Sequence, residues 1–242
     1  MTSFNNKKEH YAGSSVKGQN HKKLNLPNQD SYLIYRNKKI VVLAIADGLG
    51  SHKYSKVGSK AVVKAVKSTF IDFENGGVPF KQITSTIYNR FVNSIPKKYV
   101  NEAATTCAFV VISEKNGVFA GQVGDGLCYL KINDSSYILK PKTDEFSNIV
   151  TPLNPIKENV LWKTKHFNIE SNDEVDIMLA TDGISEDIIP GKEDGCLEYC
   201  ISKTKKKIHF LSNMALKKII LNWNVPGSLD DKSIVIYSRR TQ

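Results

Sequence analysis

The sequence predicts an α+β fold in which β-sheets form a sandwich covered by helices. Three observations predict it: a strand-like run at Lys39 to Ala46 (KIVVLAIA), helical spacing of apolar residues after Tyr54, and a group of strand-like runs between Thr105 and Ile132. Strands come first, then helices, more strands, more helices and a last strand, an order typical of a layered α+β fold. A chain of 242 residues is compatible with one such domain, so we expect a single domain over residues 1–242.

The predicted strands are short runs rich in apolar and β-branched residues, bounded by polar or glycine-containing turns. They cover residues 11–21, 31–36, 39–46, 105–113, 118–123, 127–132, 175–180 and 232–237. The turns at Asn116-Gly117 and Gly124-Asp125-Gly126 are short enough to join neighbouring strands as hairpins. We therefore expect an antiparallel meander in the middle of the chain.

Helices are predicted where apolar residues recur every three or four positions. The segments assigned in this way are 54–73, 80–91, 196–201 and 207–223. Residues 141–172 contain prolines and polar breaks without a clear period, which favours a long loop or small flap. The polar residues 1–10 are expected to be frayed.

The composition is that of a globular protein. Hydrophobic residues make up 40% of the chain and charged residues 24%, which argues against disorder. No stretch approaches the ~20 apolar residues that span a bilayer, and the polar start lacks the apolar segment of a secretory signal. We therefore expect a cytoplasmic protein with no membrane partner. The four cysteines form no CxxC pair, which favours reduced thiols over a disulfide or a zinc site.

The chain is basic, with 34 Lys and Arg against 24 Asp and Glu and a formal net charge of +10. Two interpretations are open at this point. One is a solvated, lysine-rich surface, and the other is attraction of a polyanion, either a phosphoprotein or a nucleic acid. Charge alone does not distinguish them.

Aspartates recur at the ends of the predicted strands. Asp47, Asp125 and Asp182 each follow an apolar run and precede a glycine, Asp230-Asp231 precedes the last strand, and Asp30 opens an earlier one. A single Asp-Gly is often only a turn, because both residues favour tight turns. A carboxylate at a buried strand end, however, is unstable unless it is paired or bound to a metal. No basic residue lies within the segments IADGLG, VGDGL and ATDGIS, so five segments with the same pattern indicate a shared site.

Several converging carboxylates with few histidines or cysteines select hard cations, Mg²⁺ or Mn²⁺, over zinc. Two such ions about 3.5 to 4 Å apart can bridge a water, lower its pKa and stabilise a phosphoryl transition state. The pattern therefore predicts hydrolysis without a covalent enzyme intermediate.

The motifs NQD, ADGLG, GQVGDG, ATDGISED and LDDKSIVIY occur in this order over about residues 11–238. Together they resemble the metal-dependent protein phosphatase family, type 2C, and the loop Gly18-Gln19-Asn20-His21 resembles a bacterial subgroup with a histidine there. The resemblance implies a four-layer α-β-β-α sandwich, with two antiparallel sheets packed face to face and helices outside. It also implies hydrolysis of phosphoserine or phosphothreonine on a phosphorylated protein substrate, with a cognate serine/threonine kinase as a further candidate partner.

The resemblance also implies roles for individual residues with Mn²⁺ or Mg²⁺ as cofactor. Asp47 would bridge two ions, and the carbonyl of Gly48 would bind one of them. Asp182 and Asp230 would complete the other ion's site.

Two further aspartates have implied roles. Asp30 would orient the attacking water, and Asp125 would hold a weaker third ion together with Asp182. The family often has an aspartate four residues after the equivalent of Asp182, and this chain has Glu186 there.

The chain departs from the family pattern upstream of Asp30. Many relatives have an arginine that grips the substrate phosphate where this chain has Asn25, and Gln29 stands where a glutamate is frequent. His21, Lys22 and Lys23 are the candidates to replace the arginine, with His21 preferred.

Two other functions stay open. The departures motivate a catalytically weak, phosphatase-like protein that binds phosphoprotein without turnover. The carboxylates and the basic charge together motivate a two-metal nuclease or phosphodiesterase, but the order of the motifs does not favour it, and a nucleic-acid partner is not expected.

Overall fold

The computed structural model describes residues 8–50, 52–139, 151–157, 160–205 and 208–240. Two five-stranded antiparallel sheets form its centre. The strands are β1 (Lys8–Val16), β2 (Ser31–Arg36), β3 (Ile40–Ala46), β4 (Cys107–Ser113), β5 (Gly117–Val123), β6 (Leu127–Ile132), β7 (Ser135–Leu139), β8 (Lys163–Phe167), β9 (Val175–Ala180) and β10 (Lys232–Arg240). The first sheet has the order β1-β10-β9-β6-β7 and the second has the order β2-β3-β4-β5-β8.

Helices cover the outer faces of both sheets. They are α1 (Gln19–Lys23), α2 (Ser55–Glu74), α3 (Ile83–Ser94), α4 (Asp182–Ser185), α5 (Glu193–Thr204) and α6 (His209–Leu221), with short 3-10 helices at Phe80–Gln82 and Lys97–Glu102. Helices α2 and α3 pack on the second sheet, whereas α5 and α6 pack on the first. The four-layer α-β-β-α sandwich is thus confirmed.

Strand β3 shows how the layers are held together. All of its residues are buried, and successive side chains point to opposite faces of the sheet. Val42 and Ala44 pack under α2 and α3, while Val41, Leu43 and Ile45 pack against the first sheet. Burial on both faces explains why this run is continuously apolar rather than alternating.

The beginning of the chain differs from the prediction. Strand β1 begins at Lys8, so residues 8–10 belong to a strand instead of being frayed, and residues 1–7 lie outside the described residues. The predicted strand over residues 11–21 ends at Val16, and Gln19–Lys23 is helical. The break falls at Gly18, where an added Cβ would lie 2.2 Å from the backbone carbon of Asp230. This contact with a distant segment is not visible in the local sequence.

Two edge strands were not predicted. Strand β7 pairs with β6, and β8 pairs with β5 inside the region 141–172 that was predicted as a loop or flap. Both strands are largely exposed. Strand β8 is polar except for Phe167, and β7 is a five-residue run that begins with two serines, so neither has the pattern of a buried strand. Residues 140–150 and 158–159, which include part of the predicted flap, lie outside the described residues.

No helix among the described residues is both long and apolar enough to cross a membrane. The four cysteines are free thiols, as the sequence predicted.

Candidate active site

The register of the second sheet brings two of the predicted site residues together. Ser31 at the start of β2 pairs with Ala46 at the end of β3, so Asp30 and Asp47 are neighbours just beyond this pair. Asp30 is only 1% exposed. The hydroxyl of Thr181, which follows β9 in the first sheet, donates a hydrogen bond of 2.9 Å to Oδ2 of Asp30. This bond links the two sheets at the site.

The register of the first sheet brings the other aspartates to the same edge. Ala180, the last residue of β9, pairs with the beginning of β10 on one side and with the beginning of β6 on the other. The end of β9, the segment before β10 and the β5–β6 turn are therefore adjacent. They carry Asp182, Asp230 and Asp125, respectively.

These carboxylates perturb one another strongly. Burial and then the charge of Asp30 hold the pKa of Asp47 far above its usual 3.8, with smaller effects from Asp182 and Asp230. Burial, followed by the charges of Asp125 and Asp230, raises the pKa of Asp182 to about 7. Burial also raises the pKa of Asp30 to about 6. The cluster therefore attracts positive charge, which either protons or a cation can supply.

The side chains at this edge fit a divalent cation. Oδ1 of Asp30 and Oε1 of Gln29 are buried, and neither has a hydrogen-bond partner among the described residues. A buried acceptor without a donor is unfavourable. Clustered carboxylate oxygens are also the ligands that Mg²⁺ and Mn²⁺ prefer. The charges of the expected ligands Asp47, Asp182 and Asp230 act on one another at this edge, and their role in holding an ion stays a prediction.

Asp47 is fixed through its backbone. Its carbonyl oxygen accepts hydrogen bonds of 2.7 Å from the hydroxyl of Thr105 and from the backbone N–H of Thr106, and its own N–H donates to Oγ1 of Thr106 at 2.9 Å. Gly48 comes so close to the beginning of α2 that an added Cβ would lie 2.7 Å from Ser55. The glycine after Asp47 is therefore required by packing, and the two threonines hold this aspartate in place.

Asp182 begins the short helix α4. Its Oδ1 accepts a hydrogen bond of 2.7 Å from the backbone N–H of Gly183. An added Cβ on Gly183 would lie 2.1 Å from the carbonyl oxygen of Asp231, so this Asp-Gly pair also depends on close backbone approach.

Asp125 lies at the outer side of the cluster. It is exposed in the β5–β6 turn, between two glycines with φ of +83° and +97°. Its charge is nevertheless the second cause, after burial, of the raised pKa of Asp182. Its predicted role in holding a third ion stays a prediction.

The residue that sequence reasoning missed is Asp231. Its Oδ1 accepts a hydrogen bond of 2.7 Å from the N–H of Gly18. Its Oδ2 accepts one of 2.6 Å from the N–H of Gln29 and lies 2.8 Å from Nδ1 of His21. Asp231 thereby attaches both ends of the loop before β2 to the beginning of β10. Its partners are about 200 residues away in the sequence, so only its position beside Asp230 could have drawn attention to it.

A ring nitrogen of His21 and carboxylate oxygens of Asp230 and Asp231 lie within 4.8 Å of one another, close enough to share a metal ion. Both oxygens of Asp231, however, are already aligned with donors. Of the three residues, Asp230 is the exposed one, and its expected role as a metal ligand stays a prediction.

The loop at Asn25 has a conformation that an arginine would adopt less readily. Asn25 has a φ of +52°, in the left-handed region that asparagine tolerates better than most residues. Its N–H donates to the carbonyl of Lys22 at 3.2 Å. Lys22 and Lys23 are exposed, whereas His21 is buried. Asparagine thus suits the backbone conformation at the position where an arginine was expected.

Comparison with known proteins identifies the family to which this geometry belongs. The family profile described as Protein phosphatase 2C matches residues 17–214. The chain belongs to the protein phosphatase 2C family. The matched range includes Asp30, Asp47, Asp125 and Asp182.

Solved structures of protein phosphatase 2C enzymes share this fold. The Mycobacterium tuberculosis serine/threonine phosphatase PstP/Ppp is 18% identical, with a TM-score of 0.64, and the alignment covers 97% of this chain and 99% of that one. A catalytic domain of PstP in complex with two manganese ions is 17% identical, with a TM-score of 0.62 and coverage of 96% and 98%. RsbX in complex with magnesium is 15% identical, with a TM-score of 0.59 and coverage of 98% of each chain. No curated protein sequence matches the chain significantly.

Proposed function

We propose that this member of the protein phosphatase 2C family is a metal-dependent hydrolase that removes phosphate from phosphoserine or phosphothreonine in other proteins. The observation that carries the proposal is the convergence of Asp30, Asp47, Asp182 and Asp230 from separate chain segments at one edge of the sandwich. The similarity in fold to a serine/threonine phosphatase supports the proposed substrate class.

In this proposal Asp47, the carbonyl of Gly48, Asp182 and Asp230 hold two Mn²⁺ or Mg²⁺ ions, and Asp125 with Asp182 holds a third. When bound, the ions supply positive charge that stabilises the phosphoryl group in the transition state and lower the pKa of the attacking water. The two-manganese PstP structure and the magnesium complex of RsbX support this choice of ion.

Asp30 is proposed to orient the attacking water. Its Oδ2 is held by the hydroxyl of Thr181, which is itself fixed by a 3.0 Å hydrogen bond from the N–H of Ser233. Its Oδ1 has no hydrogen-bond partner among the described residues. This oxygen is therefore free to accept a proton from a water in the site, as a general base or positioning group does.

The substrate phosphate needs a cationic or donor partner, because Asn25 replaces the expected arginine. His21 keeps this proposed role, but its Nδ1 already contacts Asp231, so Nε2 is the ring atom that could reach a phosphate. The exposed Lys22 and Lys23 are the other candidates.

The test is Mn²⁺-dependent phosphate release from a phosphothreonine peptide. We expect EDTA to abolish release, and Asp47→Asn or Asp182→Asn to lower kcat by at least about 100-fold, the scale of losing a preorganised catalytic group. Asp134→Asn is the matched control, because Asp134 is an exposed aspartate in the β6–β7 turn. Release that persists in EDTA, or in the Asp47 variant, would contradict the proposal.

A second candidate is a phosphoprotein binder with little turnover, which the conformation of Asn25 favours because the arginine is absent from its expected place. Metal and phosphopeptide binding without release would support this function. Faster hydrolysis of bis(p-nitrophenyl) phosphate than of the phosphopeptide would instead indicate a phosphodiesterase.

A further inference from the structure

A groove of about 430 Å³ opens beside Asp30, between strand β2 and helix α2. Lys56, Lys60 and Lys64 line it from the helix, and Ser31 and Tyr32 line it from the strand. We call it the lysine groove. The three lysines are four residues apart, so they lie on the same face of α2.

Positive charge exceeds negative charge in this groove: among the described residues, three lysines and one acidic residue, Asp30, line it, and the charges of Asp30 and Asp231 act on Lys56. In the part of the chain that the structure describes, none of the three lysines forms an ion pair with a carboxylate. Helix α2 has no acidic residue before Asp72, so intrahelical pairs cannot neutralise them either. Solvated helix faces usually alternate in sign, because like charges four residues apart repel. Lys60 and Lys64, which are exposed, therefore leave this wall of the groove with excess positive charge.

The lysine groove is continuous with the candidate active site. The ammonium group of Lys56 donates a hydrogen bond to the backbone carbonyl of Asp30 and lies 3.5 Å from Oγ of Ser31. Lys60 and Lys64 lie about 6 and 12 Å further along the helix axis, given the rise of an α-helix. An extended peptide advances about 3.3 Å per residue. This distance corresponds to roughly two to four residues of a substrate peptide.

We propose that the lysine groove binds anionic side chains of the substrate that lie about two to four residues from the phosphorylated residue. The inference rests on the proposed phosphatase function and narrows its substrate class to phosphoproteins with an acidic flank. Carboxylates of Asp and Glu or a second phosphate would provide this chemistry.

The first experiment compares phosphothreonine peptides with neutral flanks, with three flanking Glu residues, and with one flanking phosphoserine. We expect the anionic peptides to have the higher kcat/KM. Lys60→Ala with Lys64→Ala should lower kcat/KM for them by about 3- to 20-fold, as two exposed charge pairs would, and change it less than about 2-fold for p-nitrophenyl phosphate. Equal kcat/KM for neutral and anionic peptides would overturn the proposal. The two anionic peptides show whether carboxylate or phosphate is preferred.

Lys67→Ala is the matched control. Lys67 lies on the same helix, but its ammonium group packs 4.5 Å from the centre of the Tyr35 ring and does not line the groove. This variant removes one positive charge from the same helix, outside the groove, and is compared with Lys60→Ala and Lys64→Ala made singly. It should leave discrimination between peptides unchanged. An equal loss in the control would show a general charge effect and would also overturn the proposal.

Binding separates this proposal from the proposed function. A fluorescent Glu-rich peptide without a phosphorylated residue should bind the full chain in low salt. The double variant Lys60→Ala with Lys64→Ala should raise the Kd of this peptide by about 3- to 20-fold. Binding with this loss, but without hydrolysis of any phosphopeptide, would support the groove and contradict the phosphatase function. Hydrolysis of phosphopeptides without preference for anionic flanks, and without binding of the Glu-rich peptide, would support the phosphatase function and contradict the role of the groove. A single-stranded oligonucleotide of equal charge is the competing ligand. If it binds more tightly than the Glu-rich peptide, and if this binding depends on Lys60 and Lys64, the groove is a nucleic-acid site and the proposal is overturned.

Discussion

Nδ1 of His21 lies 2.8 Å from Oδ2 of Asp231, although the two residues are 210 positions apart in the chain. Both side chains are nearly inaccessible, with 11% and 1% of their surface exposed. The same carboxylate accepts hydrogen bonds from the N–H groups of Gly18 and Gln29. The pair therefore connects the loop that leads to Asp30 with the strand that follows Asp230.

Breaking this pair should destabilise the protein. We expect His21→Ala to lower the free energy of unfolding by about 1–3 kcal/mol, as loss of a hydrogen bond to a charged group does. Asp231→Asn should lower it by about 3–5 kcal/mol, because the amide would place N–H groups against backbone donors. Urea unfolding measures both, with Asp134→Asn as the control. Unchanged unfolding midpoints in both variants would show that the pair contributes nothing.

The same His21 variant tests the proposed phosphate contact. At a temperature where His21→Ala is fully folded, a phosphate contact predicts a higher KM or a lower kcat for a phosphopeptide. A purely positioning residue predicts a loss that follows the unfolding of the loop, as measured by hydrogen exchange. Unchanged kinetics in the folded variant would remove His21 from the phosphate site.

Asp47→Asn should have opposite effects in the absence and presence of metal. In EDTA the substitution should raise the Tm, because it removes a carboxylate whose burial and neighbours make its charge unfavourable. With Mn²⁺ at 100 times its Kd, the original protein should gain about 2.7 kcal/mol and the variant much less. Thermal unfolding with and without Mn²⁺ checks this. A variant that is less stable than the original protein in EDTA would contradict the electrostatic account.

The metal-free protein should lose stability as the pH rises from about 4 to about 7. The carboxyls of Asp30 and Asp182 have a usual pKa of 3.8, and in the fold their pKa values are raised to about 6 and about 7. The folded state therefore binds more protons than the unfolded state in this window, so stability falls with rising pH. Each unit of difference in pKa corresponds to about 1.4 kcal/mol. Urea unfolding in EDTA at several pH values measures the slope, and saturating Mn²⁺ should reduce or reverse it.

Two glycines should respond differently to alanine. Gly183→Ala places a Cβ 2.1 Å from the carbonyl oxygen of Asp231, and we expect a loss of about 1–3 kcal/mol from this overpacking. Gly195→Ala in α5 meets nothing within 4 Å and should stabilise the helix by up to about 1 kcal/mol. Chemical unfolding of both variants provides the comparison. A stable Gly183 variant would show that α4 can move away from β10 without penalty.

The sequence predicted the buried strands and the convergence of the aspartates for a physical reason. Strand β3 is apolar throughout and β9 is apolar except for Asp176. Asp47 stands directly after β3 and Asp182 stands two residues after the end of β9, where antiparallel pairing brings strand ends together. The same reasoning placed Asp30 and Asp230 at the beginning of the neighbouring strands.

What the sequence did not predict depends on contacts between distant segments. Strands β7 and β8 are short, largely exposed edge strands whose conformation comes from pairing with β6 and β5. Helix α1 has only five residues and forms where Gly18 meets the segment around Asp230. The role of Asp231 likewise follows from backbone groups of Gly18 and Gln29, which no local pattern connects to it.

The position of β10 between β1 and β9 also determines when the first sheet can form during synthesis. A ribosome-bound chain that ends near residue 220 already contains Asp47 and Asp182, but it lacks Asp230, Asp231 and the strand that joins β1 to β9. The first sheet cannot form completely before residues 232–240 are present. The pairing of β1 with β10 is long-range, and such pairings slow folding. We therefore expect a chain that ends near residue 220 to contain Asp47 and Asp182 while β1 and β9 remain unjoined.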